Sequence, residues 1–185
     1  ERQRGRDLLC PHLERRPAVQ GLASAFRLRG PLNREALPRS IETILERHDT
    51  LRTVVEWRDG VPAQVVRPLQ TLELPVVDWT GRPTEERESS LVPYLREHAR
   101  EPHDLGDRPA FDARLLHLGE DDHVLYFRTH NAVWDGWSFD IFRRELDRLY
   151  AENIGRTVVG VVDNTPHDPL GSHAPQLYVP HVHFA

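Results

Sequence analysis

The side chains best suited to chemistry are concentrated in the stretch RTHNAVWDGWS, residues 128–138. His130 ends an apolar run typical of a strand, and Asp135 and Gly136 precede a segment typical of a helix. An imidazole held in one tautomer beside a fixed charge can act as a general base near neutral pH. Asp135 could orient a ring or pair with an arginine, and Gly136 would let the backbone turn. The stretch could be an active-site loop, but these residue types alone favour the alternative, a capped strand followed by an ordinary turn with the tryptophans in the core.

The elements that would position this loop are two hairpins and three helices. Alternating apolar residues around Asp59-Gly60, and again around the polar turn GEDD at 119–122, predict two β-hairpins, the second ending at His130. Helical spacing predicts helices after Asn33, after Thr84 and after Ser138, each of which could cap its helix. Pro38 argues for a later start of the first helix. The expected fold class is α/β, an α+β sandwich whose mixed sheet contains antiparallel hairpins and is packed against helices.

Composition excludes several classes of function. The net charge is −5, and the 24 basic residues, all arginine, form no basic stripe, so we expect no nucleic-acid partner. The single cysteine cannot form an internal disulfide, and no apolar run reaches the length of a membrane span. We therefore expect a cytoplasmic protein with no membrane partner.

Several segments then resemble one family. RTHNAVWDGWS resembles the HHxxxDG motif of the condensation domains of nonribosomal peptide synthetases, within the chloramphenicol acetyltransferase-like superfamily. ERHDTLRT, residues 46–53, resembles the arginine-histidine motif that lies upstream in these domains, and FRLRGPLNREAL resembles the segment before it. DLGDRPAFDARLLHLGEDDHVLYF resembles their run into the active-site loop. The resemblance covers about residues 17–156 with order and spacing preserved.

The resemblance implies amide-bond formation between thioesters carried on the phosphopantetheine arms of carrier proteins, with no cofactor bound directly. It places the first motif histidine at His130 and the second, which positions or deprotonates the amine, at Asn131; Asp135 and Gly136 complete the motif. The family's aspartate is mainly structural and typically held by an arginine, for which Arg47 and Arg52 are the candidates. Trp134, Trp137 and Ser138 are the predicted substrate-binding residues, and burial in the core is the alternative for both tryptophans.

Asn131 departs from the family at the position of the base. An amide offers an acceptor oxygen and N–H donors but cannot take up a proton near neutral pH. Losing a general base costs on the order of 10² to 10⁴ in rate. We therefore expect impaired condensation; the alternatives are a non-catalytic docking or scaffold module that binds carrier proteins, and an acyltransferase whose site is shared between subunits.

The predicted domain division is an N-terminal condensation-like lobe at 1–156 and a divergent tail rich in proline and histidine at 157–185, with the family's second lobe absent. The expected partners are a peptidyl or acyl carrier protein and neighbouring synthetase domains or a second lobe, and self-association is possible because an isolated lobe would expose an apolar face. The tail histidines His167, His173, His181 and His183 could bind a metal, but neither cysteine nor acidic partners lie close to them, so we expect no metal site.

Overall fold

The computed structural model describes residues 21–101, 105–106, 109–130, 132–154, 177–178 and 181–183. The strands are β1 (Gly21–Arg29), β2 (Thr53–Arg58), β3 (Val61–Val66), β4 (Val76–Asp78), β5 (Phe111–Gly119), β6 (Asp122–His130), β7 (Leu177–Tyr178) and β8 (His181–His183). The helices are α1 (Ala36–Arg47), α2 (Thr84–Ala99) and α3 (Gly136–Ile154), and a 3-10 turn spans Asp49–Arg52.

The main sheet is mixed and has the strand order β4-β5-β6-β1-β7, with β8 also paired to β1. β6 lies between β5 and β1 and is antiparallel to both, whereas β4 is parallel to β5 and β7 and β8 are parallel to β1. β2 and β3 form a separate two-stranded sheet. The predicted fold class and both predicted hairpins are confirmed.

Helices cover both faces of the main sheet. On one face α1 and α3 pack with Phe26, Leu125 and Phe127, and on the other α2 packs with Val124 and Tyr126. Alternate residues of β6 point to opposite faces, so a strand buried on both sides reads as a nearly continuous apolar run. Burial of each large apolar side chain contributes about 1.5–3 kcal/mol. The strand that carries His130 is therefore held rigidly from both sides.

Local capping explains where the first helix begins. The side-chain oxygen of Asn33 accepts hydrogen bonds from the backbone N–H groups of Glu35 and Ala36, both at 3.0 Å. Pro38 is the third residue of α1, within the first turn, where helix N–H groups have no intrahelical acceptor. The proline and the asparagine cap are thus compatible. In the β2–β3 hairpin, Asp59 and Gly60 both adopt positive φ, 52° and 82°, as a tight two-residue turn requires.

Candidate active site

His130 is the last residue of β6 and is 3% exposed. Its Nδ1 atom accepts a hydrogen bond from the backbone N–H of Ala132 at 3.1 Å, and its carbonyl accepts one from Val133 at 3.0 Å. A neutral imidazole whose Nδ1 accepts must carry its proton on Nε2. The loop therefore selects the tautomer in which Nε2 is a donor, which suits hydrogen bonding to an oxygen rather than abstraction of a proton.

Asp135 begins α3. Its Oδ1 atom accepts hydrogen bonds from the backbone N–H of Ser138 at 2.8 Å and from the Ser138 hydroxyl at 2.7 Å. These hydrogen bonds, led by the one from the Ser138 backbone, hold the pKa of the Asp135 carboxyl below its usual value. Gly136 is the first residue of the helix. The prediction that Ser138 caps this helix is wrong: Asp135 is the cap, and Ser138 donates to it.

Arg47 and Arg52, the predicted partners of Asp135, bind other groups. Arg47 Nη1 lies 3.5 Å from Glu145 Oε1, and Arg52 forms an ion pair with Asp49 while its Nε donates to the carbonyl of Leu45 at 2.7 Å. Among the described residues, the Asp135 carboxylate is bound by Ser138 instead. The predicted ion pair between Asp135 and either arginine is therefore wrong, because the helix start supplies the donors that the carboxylate needs.

The arginine-histidine motif nevertheless contacts the helix that follows the loop. His48 Nε2 lies 2.7 Å from Glu145 Oε2, on the same carboxylate that Arg47 contacts. Arg47 and His48 lie at the end of α1, and Glu145 lies in the middle of α3. We name these three residues the α1–α3 clamp. 39% of the His48 side chain is exposed, and its contact with Glu145 bridges the two helices.

The two tryptophans of the loop have different surroundings. Trp134 is 7% exposed, and its ring meets those of Phe127 and Phe142 edge-on, with centroids 5.7 and 5.6 Å apart. This packing favours the core alternative for Trp134 over substrate binding. Trp137 is 79% exposed on the first turn of α3. A role for Trp137 and Ser138 in substrate binding stays a prediction.

Asn131, the predicted replacement for the catalytic base, lies outside the described residues. Its neighbours on both sides are described, so the structure defines the end of β6 and the start of α3 but not the amide itself.

Comparison with known proteins decides the family. The model of the condensation domain family matches residues 3–158. This chain belongs to the condensation-domain family. It is 42% identical over 127 residues to cyclosporin synthetase simA of Tolypocladium inflatum and 35% identical over 127 residues to enniatin synthetase of Fusarium oxysporum. Each match covers 69% of the chain, but only 1% of the first synthetase and 4% of the second.

Solved structures show the same fold. The X-domain from teicoplanin biosynthesis is 28% identical, with a TM-score of 0.68 over 84% of this chain and 32% of that one. The starter condensation domain of rhizomide synthetase RzmA is 20% identical, with a TM-score of 0.69 over 85% of this chain and 38% of that one. The chain thus spans about a third of these structures. It is a condensation-domain sequence of the nonribosomal peptide synthetase type, with a chloramphenicol acetyltransferase-like fold.

Sequence reasoning missed two buried or half-buried polar groups of this condensation domain. Glu145, in the α1–α3 clamp, is one; Arg128, which is 1% exposed and lies two residues before His130, is the other. Arg128 could have been noticed because a charge interrupts the apolar run of β6 on a face that α2 covers. Glu145 carried no such signal, since a glutamate in an amphipathic helix is usually solvated.

The described residues contain neither a cluster of metal-ligating side chains nor a membrane-spanning helix. Within the described ranges, no group of three or more histidine, cysteine, aspartate or glutamate side chains is arranged to hold a metal ion. His167 and His173 lie outside the described residues, as do the side chains of His181 and His183. In the same ranges, no helix is long and apolar enough to cross a bilayer.

Proposed function

We propose that this chain is the N-terminal lobe of a condensation domain in which Asn131 replaces the general base, so that amide formation is impaired. The observation that carries the proposal is the loop itself: His130 is buried and held in one tautomer, Asp135 caps α3, and the residue between His130 and Ala132 is an amide. The loop architecture of the motif is kept while its proton acceptor is missing.

The reaction class follows from the family. The amine of one aminoacyl thioester attacks the carbonyl carbon of another, a C–N bond forms, the C–S bond breaks, and the amine loses a proton as the thiol leaves. Both substrates would be tethered to carrier proteins through phosphopantetheine arms, with no further cofactor. Asn131 can accept a hydrogen bond from the amine through its oxygen, but it cannot carry the proton away. Only amine that is already neutral would react without help.

The residues have separate roles in this proposal. His130 Nε2–H would donate a hydrogen bond, Asp135 and Gly136 would set the start of α3, and Asn131 would orient the amine. The 1–156 lobe would supply one wall of the substrate tunnel. The second wall would come from the second lobe of the family, from neighbouring synthetase domains, or from another copy of this chain.

The test is restoration of the base. Asn131→His is compared with the unchanged chain and with Asn131→Ala, using loaded carrier proteins and measuring dipeptidyl product by mass spectrometry in single turnovers. Each is assayed alone and with a second lobe supplied. We expect Asn131→His to raise the rate by about 10²-fold or more, because a positioned base contributes about 10²–10⁴. Equal rates for all three proteins would contradict the proposal.

Asn131 also favours a second candidate, a docking module that binds carrier proteins without chemistry. The two are separated by measuring carrier binding in parallel with product. If the Asn131→His variant binds loaded carrier protein but forms no amide, even with a second lobe supplied, the chain is a docking module.

A further inference from the structure

A buried guanidinium lies directly before the candidate active-site loop. Arg128 belongs to β6, and 2% of its side chain is exposed. Burial of an ionised group is costly unless its hydrogen bonds are satisfied. The hydrogen-bond partners of Arg128 therefore indicate which elements of the fold it joins.

Its donors are shared between two elements. Nε and Nη2 of Arg128 donate to Asp112 Oδ2 at 3.2 and 2.5 Å, and Asp112 is the directly opposite residue of β5. Nη1 donates to the backbone carbonyls of His98 and Glu101, each at 3.2 Å, and lies 3.4 Å from Glu101 Oε2. The planar fork of arginine reaches all of these acceptors at once, which a single ammonium does not.

The His98 carbonyl belongs to the last turn of α2, and the Glu101 carbonyl lies two residues beyond the helix. The last carbonyls of a helix have no intrahelical donor and carry the negative end of its dipole, so a cation placed there both satisfies and stabilises them. α2 ends at Ala99. Arg128 thus acts as a C-terminal cap supplied by another element, and it fixes the end of α2 against the strand that carries His130.

Arg128 also lies on the same face of β6 as His130. Residues two apart on a strand point to the same face and are about 7 Å apart along it. Beyond the end of α2, the carbonyl of Leu105 accepts a hydrogen bond from Val55 of β2 at 2.9 Å. The chain leaving α2 is therefore attached at one end by Arg128 and further on by the β2–β3 hairpin.

We propose that Arg128 is a positioning residue for His130: by joining β5, β6 and the end of α2, it holds the end of β6 so that His130 keeps the hydrogen bond from Ala132. This inference rests on the proposed function insofar as His130 serves a reaction. The structural observation behind this inference is that Arg128 links Asp112 to the backbone carbonyls of His98 and Glu101. Arg128 acts through the strand and contacts no reacting atom.

The test compares two arginine substitutions of the same kind. Arg128→Lys keeps the charge but loses the fork. Arg27→Lys is the matched control, because Arg27 is likewise buried, at 6% exposed. It is bound by two carboxylates, Glu88 and Asp122, at the far end of the same sheet. Both substitutions should lower the unfolding midpoint.

The deciding readout is the ring of His130. Two-bond ¹⁵N–¹H correlation spectra of the full chain report which ring nitrogen is protonated, and the His130 signals are assigned from their loss in His130→Gln. We expect Arg128→Lys to mix the two tautomers and Arg27→Lys to leave them unchanged. Asp112→Asn, which weakens the same link with less disturbance, should shift the signals in the same direction and keeps the test decisive if Arg128→Lys does not fold.

A kinetic arm follows in the Asn131→His background. There Arg128→Lys should lower kcat about tenfold or more with KM within twofold, because misplacement of a catalytic group by about 1 Å costs up to 10² in rate. If Asn131→His forms no amide, the proposed function fails while the spectra still decide the role of Arg128. The positioning role of Arg128 would be overturned if the His130 tautomer changed equally in Arg128→Lys and Arg27→Lys. It would also be overturned if the tautomer changed in neither Arg128→Lys nor Asp112→Asn.

Discussion

Asp135 shows how one carboxylate can serve the loop without an arginine partner. Its oxygen accepts from the backbone and hydroxyl of Ser138, so its charge faces the positive end of the α3 dipole. Because the pKa of Asp135 is lowered in the fold, its contribution to stability is complete above the unfolded pKa of about 3.9 and is lost as the pH falls through the folded value.

A pair of substitutions at Asp135 separates capping from ion pairing. Asparagine is as good an N-cap as aspartate, and alanine is a poor one. We expect Asp135→Ala to lower the midpoint of thermal unfolding at pH 7 clearly and Asp135→Asn to lower it only slightly. Differential scanning fluorimetry measures both. Equal losses would mean that the negative charge of Asp135, rather than its cap hydrogen bonds, stabilises the start of α3.

His123 is a buried histidine near the start of β6, at the opposite end of the strand from His130. It is 2% exposed, both ring nitrogens are without a hydrogen-bond partner in the described structure, and its ring stacks on that of His117 with centroids 4.8 Å apart. Burial, together with the nearby charge of Arg34 and the His117 ring, lowers its pKa to about 4, against the opposing influence of Asp121 and Asp122. The fold therefore accepts only the neutral ring.

This makes stability depend on pH in a defined window. A folded pKa below the unfolded value of about 6.5 means that the fold is unpenalised above pH 6.5 and loses stability as the pH falls towards 4, by on the order of 2–3 kcal/mol. Urea unfolding at pH 7, 6, 5 and 4 measures this slope, and His123→Phe should reduce it. A variant with an unchanged slope would show that other groups cause the acid sensitivity.

Among the elements, α1 and α3 are linked at their surface by the α1–α3 clamp. His48 and Arg47 share the carboxylate of Glu145, whose side chain is 24% exposed. A typical hydrogen bond contributes about 0.5–1.5 kcal/mol and an exposed ion pair about 0.2–1 kcal/mol. Through this link, the upstream arginine-histidine motif reaches the helix that follows the candidate active-site loop.

A double-mutant cycle measures the strength of the clamp. His48→Ala, Glu145→Ala and the double variant are unfolded in urea, and we expect a coupling free energy of about 1 kcal/mol. Arg39→Ala and Glu35→Ala form the matched control, because their ion pair is 4.0 Å long and exposed, so it should show almost no coupling. If the coupling free energy between His48 and Glu145 were equally close to zero, the two helices would be held together by their apolar faces alone.

The elements themselves were largely predictable from the sequence, and the partners of their polar groups were not. Alternation around Asp59-Gly60 and the run into His130 predict strands because a pleated strand repeats every two residues. The short strand β4 pairs with β5, which is distant in sequence, and neither predicted hairpin includes it. Which side chain binds Asp135 or Glu145 depends on packing between distant segments, and no local pattern encodes it.

At the scale of the whole molecule, the exposed apolar residues beside the candidate active site form a surface that a second lobe or another copy of the chain could cover. Trp137 and Ile141 lie one turn apart on α3 and are 79% and 51% exposed. The chain spans about a third of the solved structures it matches, so the proposed function requires a second wall for the tunnel. An exposed tryptophan next to the loop is placed to report on such a wall.

Trp137 fluorescence distinguishes the possible sources of that wall. The other described tryptophans are buried or half-buried, so the long-wavelength emission should come mainly from Trp137, and Trp137→Phe should remove it. If a second condensation lobe packs here, its addition should shift the emission to shorter wavelength in the unchanged chain but not in Trp137→Phe. A shift that instead follows the concentration of the chain alone would favour a site shared between subunits. Emission that responds to neither would place the missing wall away from α3 and leave carrier binding as the function to measure first.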